Sequence, residues 1–147
     1  MSCSNRITTV ILSVLVFLPP QFLHSQTERC TMAQANRALD EAVTLRSWDA
    51  LYQSYRKFRY CDDGAIAEGY SESVARILAD YWSTLARFKA LSESNAPFRK
   101  FVVSHIDATL NGEDLEKIKE NATAHCPKGL KSTCIELAGK ADSALKE

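Results

Sequence analysis

The sequence predicts an all-α fold: a single-domain bundle of about five to six helices stapled by two disulfides. Apolar residues recur at three- and four-residue steps through most of the chain, the period of a helix with one buried face. No stretch of any length alternates apolar and polar residues as a half-buried strand does. The 147 residues include only 5 glycines and 4 prolines, so few points interrupt a helix.

The first segment reads as a signal peptide rather than as part of the fold. Arg6 is the only charged residue before Glu28, and Val10 to Leu18 is apolar except for Ser13. Pro19-Pro20 follows. A basic start, a short apolar run and a helix-breaking end are the marks of a secretory signal, and a bilayer span needs about 20 apolar residues. We place the signal peptide at 1–26, with cleavage near 25–26, and the helical domain at 27–147. Thr27-Glu28-Arg29 precedes Cys30 where a lipoprotein signal would carry small residues. The expected product is periplasmic or secreted, with no stable membrane anchor after cleavage.

The elements then follow in order. Thr31 with Gln34 fits a capping box, opening a helix whose expected inward face is Ala35, Leu39, Ala42 and Val43. Ser47 can cap a second helix through Leu51, Tyr55 and Phe58, with Trp48 close by. The link is short enough to make the two helices antiparallel neighbours. A third helix is expected from Asp62 or Asp63 to about Phe88. Its stripe is Ile66, Tyr70, Val74, Ile77, Leu78, Tyr81, Leu85 and Phe88. Ser92 to Ala96 is a polar break, and Pro97 suits the first turn of a fourth helix. That helix points Phe98, Phe101, Val102, His105, Ile106 and Leu110 inward and is expected to end at Asn111-Gly112. A fifth carries Leu115, Ile118 and Ala122. A sixth, with Ser132 as its expected cap, carries Ile135, Leu137, Ala138, Ala141 and Leu145.

Five cysteines are encoded. Cys3 leaves with the signal, and Cys30, Cys61, Cys126 and Cys134 remain. An even count in an exported chain reads as disulfides. The wide separations lack the close pairs of a zinc site. The helical layout favours Cys30–Cys61 and Cys126–Cys134, each across the base of a helical hairpin, although the crossed pairings stay open. The first closes the longer loop and contributes roughly 3 kcal/mol on the chain-entropy argument.

Charge narrows the function classes. The chain has 18 basic and 18 acidic residues, and losing Arg6 with the signal leaves one acid in excess. A nucleic-acid binder needs a basic face to neutralise phosphates, so no nucleic-acid partner is expected. No nucleophile elbow, zinc-protease helix, phosphate loop or dinucleotide fingerprint occurs. No cofactor and no catalytic or metal residue is assigned.

The candidate interaction residues are Asp62, Asp63, Glu68, Tyr70, Glu72 and His105. Clustered carboxylates bind hard cations or do acid–base work. Asp62/Asp63/Glu68 is therefore the alternative reading, as a small enzyme or cation-binding protein. The competing reading makes Asp62 and Asp63 helix-capping acids. It makes Glu68, Glu72 and Arg76 a solvated row with one i,i+4 salt bridge. Asp107 to Glu113 starts like an EF-hand loop, but Ile118 stands where the bidentate Glu is needed. It reads better as a corner between helices, with Gly112 supplying positive φ. His105 lies on an apolar face and reads as a packed, hydrogen-bonded core histidine. The aromatic residues of the second and third helices, Trp48 to Tyr60 and Tyr70 to Trp82, exceed what one face can bury. Those left exposed would suit a protein interface; the competing reading makes them core of a small domain. Asn121-Ala122-Thr123 is a glycosylation triplet.

Cys61 to Ser71 (CDDGAIAEGYS) and Phe98-Arg99-Lys100-Phe101-Val102 with His105 to Thr109 resemble blocks of an uncharacterised family of small exported bacterial helical proteins. With Cys126-Pro127 and Cys134, the resemblance covers most of the mature chain. It implies a periplasmic helical domain and no activity. A fainter similarity is to the Rap1a/Tai immunity family, small disulfide-bonded periplasmic proteins that neutralise toxins delivered by type VI secretion. There a cysteine almost abuts a Gly-Tyr that opens a helix, whereas here seven residues intervene between Cys61 and Gly69-Tyr70. Because no reactive constellation stands out against its structural reading, the expected function is an exported protein-binding module, immunity- or inhibitor-like, whose partner is another protein of the cell envelope.

Overall fold

The computed structural model describes residues 29–147. The signal segment 1–26 and Cys3 lie outside them. Seven α-helices and no strand occur among the described residues: α1 Met32–Ala42, α2 Trp48–Phe58, α3 Gly64–Asp80, α4 Leu85–Ser94, α5 Ala96–Ser104, α6 Gly112–Ala124 and α7 Lys131–Ala144. Single 3₁₀ turns at Arg59–Cys61 and Trp82–Thr84 lead into α3 and α4. The all-α class stands, with seven helices where five to six were expected.

The additional helix comes from a break in the long third stripe. Tyr81 leaves helical geometry at φ −118°, ψ 34°. Apolar periodicity runs straight through this point, so the cause lies elsewhere in the chain. The last carbonyls of a helix lack internal partners. Here the Asn121 side chain on α6 donates to Leu78 O and Ala79 O, both at 3.1 Å. The Trp82 indole donates to His125 O at 2.9 Å. Together they satisfy the end of α3 and hold the new direction of the chain. Asn121 is therefore engaged in the fold, and the glycosylation triplet falls on a helix whose Ala122 is buried.

Helix starts follow local chemistry. Thr31 and Gln34 form both bonds of the capping box. Ser47, Asp63, Asn95 and Asn111 accept from first-turn amides of α2, α3, α5 and α6, each removing an orphan donor. Asn111 thus opens α6 rather than closing the helix before it. Helix α5 stops at Ser104, and Gly112 is its successor's first residue without positive φ; Gly64 and Gly129 are the described glycines that adopt it. Leu130, not Ser132, precedes α7, and no side chain caps it.

α3 lies at the centre, packed by α1, α2 and α6; α4 packs on α5 and α6 on α7. Trp48, Tyr70, Phe88, Phe98, Ile106 and Leu137 are fully enclosed. A smaller cluster of Ala38, Phe58 and Cys61, with Cys30, Tyr60 and Ile66 against it, surrounds the first disulfide. The disulfides are Cys30–Cys61 and Cys126–Cys134, the pairing favoured by the hairpin layout.

Two expected faces are turned. On α1, Ala38 and Ala42 go inward, while Leu39 and Val43 are left exposed. The reason is the close approach of α1 to α3 at Gly69. A Cβ added there would lie 2.8 Å from Val43 Cγ1 and 3.2 Å from Ala42 Cβ. Only small side chains fit between helices at that separation. On α7, Ile135 is exposed, and Thr133, Cys134, Leu137 and Ala141 face the core.

Candidate functional site

The six candidate residues separate into a buried polar centre and an exposed row. The centre forms where the turn before α3 meets the end of α5. His105 Nδ1 lies 2.7 Å from Phe101 O, and Nε2 lies 3.0 Å from Asp62 Oδ1. A carbonyl and a carboxylate only accept, so both contacts are satisfied together only when both ring nitrogens carry a proton. Its side chain is 6 % exposed and that of Asp62 23 %. Burial works to discharge the ring. The Asp62 hydrogen bond, the Phe101 carbonyl and the charges of Asp62 and Asp107 outweigh it and raise the His105 pKa above the ordinary 6.5. Its acid partner is not Asp107, two residues on, but Asp62 from a distant element.

Around this pair the polar groups are consumed in pairs. Ser71 Oγ donates to Asp107 Oδ2 at 3.3 Å, and Thr109 donates to Asp107 Oδ1 through its amide and its hydroxyl. Burial raises the Asp107 carboxyl; the Thr109 and Ser71 hydrogen bonds and the charge on His105 hold it below the usual range. The Tyr70 hydroxyl shares a 2.9 Å hydrogen bond with Ser54 Oγ. Burial above all pushes Tyr70 up to about 12; Ser54 opposes this, and the charges of Glu41 and Asp62 add to it. The Tyr70, Phe101 and His105 rings stack edge-on or tilted with centroids 4.3–5.8 Å apart. Phe101 continues through Tyr55 and Phe98 to Tyr52. The aromatic residues are thus mostly core, although Tyr81 is exposed and Tyr52, Tyr60 and Trp82 are half-buried.

The acids of the alternative reading do not converge. Asp62 faces His105, Asp63 accepts from Gly64 N–H at 2.8 Å, and Glu68 is exposed on α3. No group of three or more His, Cys, Asp or Glu suited to a metal ion occurs among the described residues.

The exposed row differs from its expected form in one respect. The Glu72–Arg76 salt bridge does not form. Arg76 Nη1 turns to Val43 O at 3.1 Å and Leu45 O at 3.3 Å, tying down the end of α1. Glu68 and Glu72 have no ion-pair partner among the described residues. A cleft of about 380 Å³ opens beside them, lined by Glu72, Arg76, Asp80, Thr109, Asn111 and Asp114. Val43, just past the end of α1, lies against Gly69 between Glu68 and Glu72, and Leu39 and Met32 are exposed on the same side of α1. This outer stripe was missed because Leu39 and Val43 look like core. The available signal was the small-residue pair Ala38 and Ala42, four apart, with Gly69 to receive it.

No family model, curated protein or solved structure compared with the chain matches it. No helix among the described residues is long and apolar enough to cross a membrane. Two disulfides fit an oxidising, non-cytoplasmic compartment.

Proposed function

We propose that this protein is an exported binding module of the periplasm, immunity- or inhibitor-like, which acts by occupying another protein of the cell envelope. The observation that supports it is the outer face of α1. Met32, Leu39 and Val43 are 77 %, 41 % and 39 % exposed on a helix that buries two alanines. Single exposed apolar residues are ordinary, but three on one side of a helix are the kind of surface that interaction sites use. Disulfide-bonded helices supply the rigidity that keeps the cost of association low. The buried centre is a fold element in this reading: His105, Asp62 and Tyr70 have their polar atoms engaged internally.

A photo-reactive residue in place of Leu39, introduced in the exporting cell, tests the reading. It should cross-link to a second envelope protein on illumination, whereas the same residue at exposed Lys128 should not. Illumination that leaves the Leu39 variant monomeric refutes the reading.

A further inference from the structure

We infer that the α1–α3 face is a docking surface for a basic amphipathic segment of another protein, one that lays apolar side chains along α1 and lysines or arginines along α3. The inference rests on the binding reading above and specifies the chemistry of the partner.

Met32, Leu39 and Val43 are separated by seven and four residues, so they share one side of α1 within about 40° and span about 16 Å. Val43 sits at the crossing with α3, against Gly69. Glu68 and Glu72 bracket Gly69 in sequence, one residue before it and three after. The apolar stripe therefore has carboxylates at its edge.

Neither carboxylate has an ion-pair partner among the described residues. Arg76, the cation four residues after Glu72, turns its Nη1 to Val43 O and Leu45 O instead. Past Arg76 the acidic character continues into the cleft with Asp80 and Asp114. Asp80 is met by exposed Lys117 at 2.6 Å, and Asp114 accepts a hydrogen bond from the Asn111 side-chain amide while its own N–H donates to Asn111 Oδ1. The surface thus has exposed apolar side chains, two carboxylates that form no ion pair among the described residues, and a hollow of mixed charge beside Glu72.

Charge complementarity decides among occupants. An anionic bilayer or a nucleic acid would bring phosphates against Glu68 and Glu72 and be repelled. A second copy of this chain would set the same acids against each other across a two-fold axis. A helix-like segment with apolar residues at matching steps and basic residues beside them satisfies both halves of the surface. Arginine can reach either carboxylate with two parallel hydrogen bonds.

The test uses the protein expressed from its full sequence and purified as the cell leaves it. Two helical peptides of identical leucine spacing, one with lysines and one with glutamates on its polar face, are titrated and followed by amide NMR. The lysine peptide should shift the Leu39, Val43, Glu68 and Glu72 signals and weaken as salt rises. The glutamate peptide should bind at least about tenfold more weakly, the scale of two rim charges. The double variant Glu68→Lys/Glu72→Lys should reverse the preference while keeping the native spectrum elsewhere. Equal binding of the two peptides, binding mapped to another face, no shift with either, or self-association through the stripe would each overturn the inference. The Leu39 cross-link is blind to charge, so it fails only if the binding reading itself fails.

Discussion

Asp62→Asn should destabilise the protein in acid and cease to do so in alkali. The argument starts from the two nitrogens of His105, each aimed at an oxygen that only accepts. Protonated, the ring satisfies both. Neutral, it has one donor, so one contact becomes lone pair against lone pair inside the fold. The folded pKa lies above the unfolded value of 6.5. The pair's contribution is therefore complete below about pH 6.5 and is lost as pH rises through the folded pKa. A hydrogen bond to a charged group contributes about 1.5–3 kcal/mol. The partial exposure of Asp62 favours the lower half, so we expect about 2 kcal/mol. For a domain of this size that is a fall of roughly 8 °C in Tm near pH 5. Asparagine can donate its amide to a neutral Nε2 while Nδ1 still donates to Phe101 O, so the variant tolerates the neutral ring. The gap to wild type should close as pH rises past the folded pKa of His105. Urea denaturation of both proteins across this range measures it, with NMR titration of His105 as the companion. A gap independent of pH, or a His105 pKa below 6.5, would refute the reasoning.

Other substitutions probe separate links. Gly69→Ala should destabilise by about 1 kcal/mol in urea melts, because crowding against Ala42 and Val43 exceeds the gain in helix propensity. Gly139→Ala, where an added Cβ meets nothing within 4 Å, should stabilise α7 by about 0.5–1 kcal/mol. Ser54→Ala strands the buried Tyr70 hydroxyl and should cost about 1–3 kcal/mol. The double variant Ser54→Ala/Tyr70→Phe removes both partners and should recover most of it; absence of recovery in the cycle would show that the pair is not coupled. Cys30→Ser/Cys61→Ser opens the longer loop, with a sequence separation of 31 against 8 for the other bridge. It should lower stability by about 3–4 kcal/mol, against about 2.5 for the second disulfide. Calcium and EDTA should leave the Tm unchanged, since the Asp62, Asp63 and Glu68 carboxylates do not converge; a shift of several degrees would restore the cation-binding alternative.

What could be read from sequence was what local chemistry decides. Thr31, Ser47, Asp63 and the turn at Pro97 act within three residues of themselves, and their elements start where expected. The disulfides followed because short links force neighbouring helix ends together. What escaped was set across the chain. The break after Asp80 depends on Asn121 and Trp82, and no window of sequence containing the stripe contains Asn121. The Glu72–Arg76 pair is sound for an isolated helix, but Arg76 finds the open carbonyls at the end of α1. His105 was legible as a core histidine, whereas its partner Asp62, 43 residues away, was not.

The opening of α3 shows why the conspicuous acids are a poor guide to function here. Cys61 closes the first disulfide, Asp62 holds the charge of His105, and Asp63 caps the helix: three adjacent residues, each with one internal partner. Each of these residues thus has a role inside the fold that requires no outside ligand. Eight residues on, Gly69 lets α1 come close enough that only alanines fit beneath it, so the larger apolar side chains of α1 are turned to solvent. The same crossing draws Arg76 onto the end of α1 and away from Glu72. One close helix contact therefore produces both the exposed apolar stripe and the unpaired carboxylate beside it. Widening the contact should undo both together: a bulky residue at 69 would displace Val43 and release Arg76 toward Glu72. Loss of the lysine-peptide shifts in Gly69→Ala, with the fold retained, would bear out that dependence; unaltered binding would show that the stripe and the acids act without it.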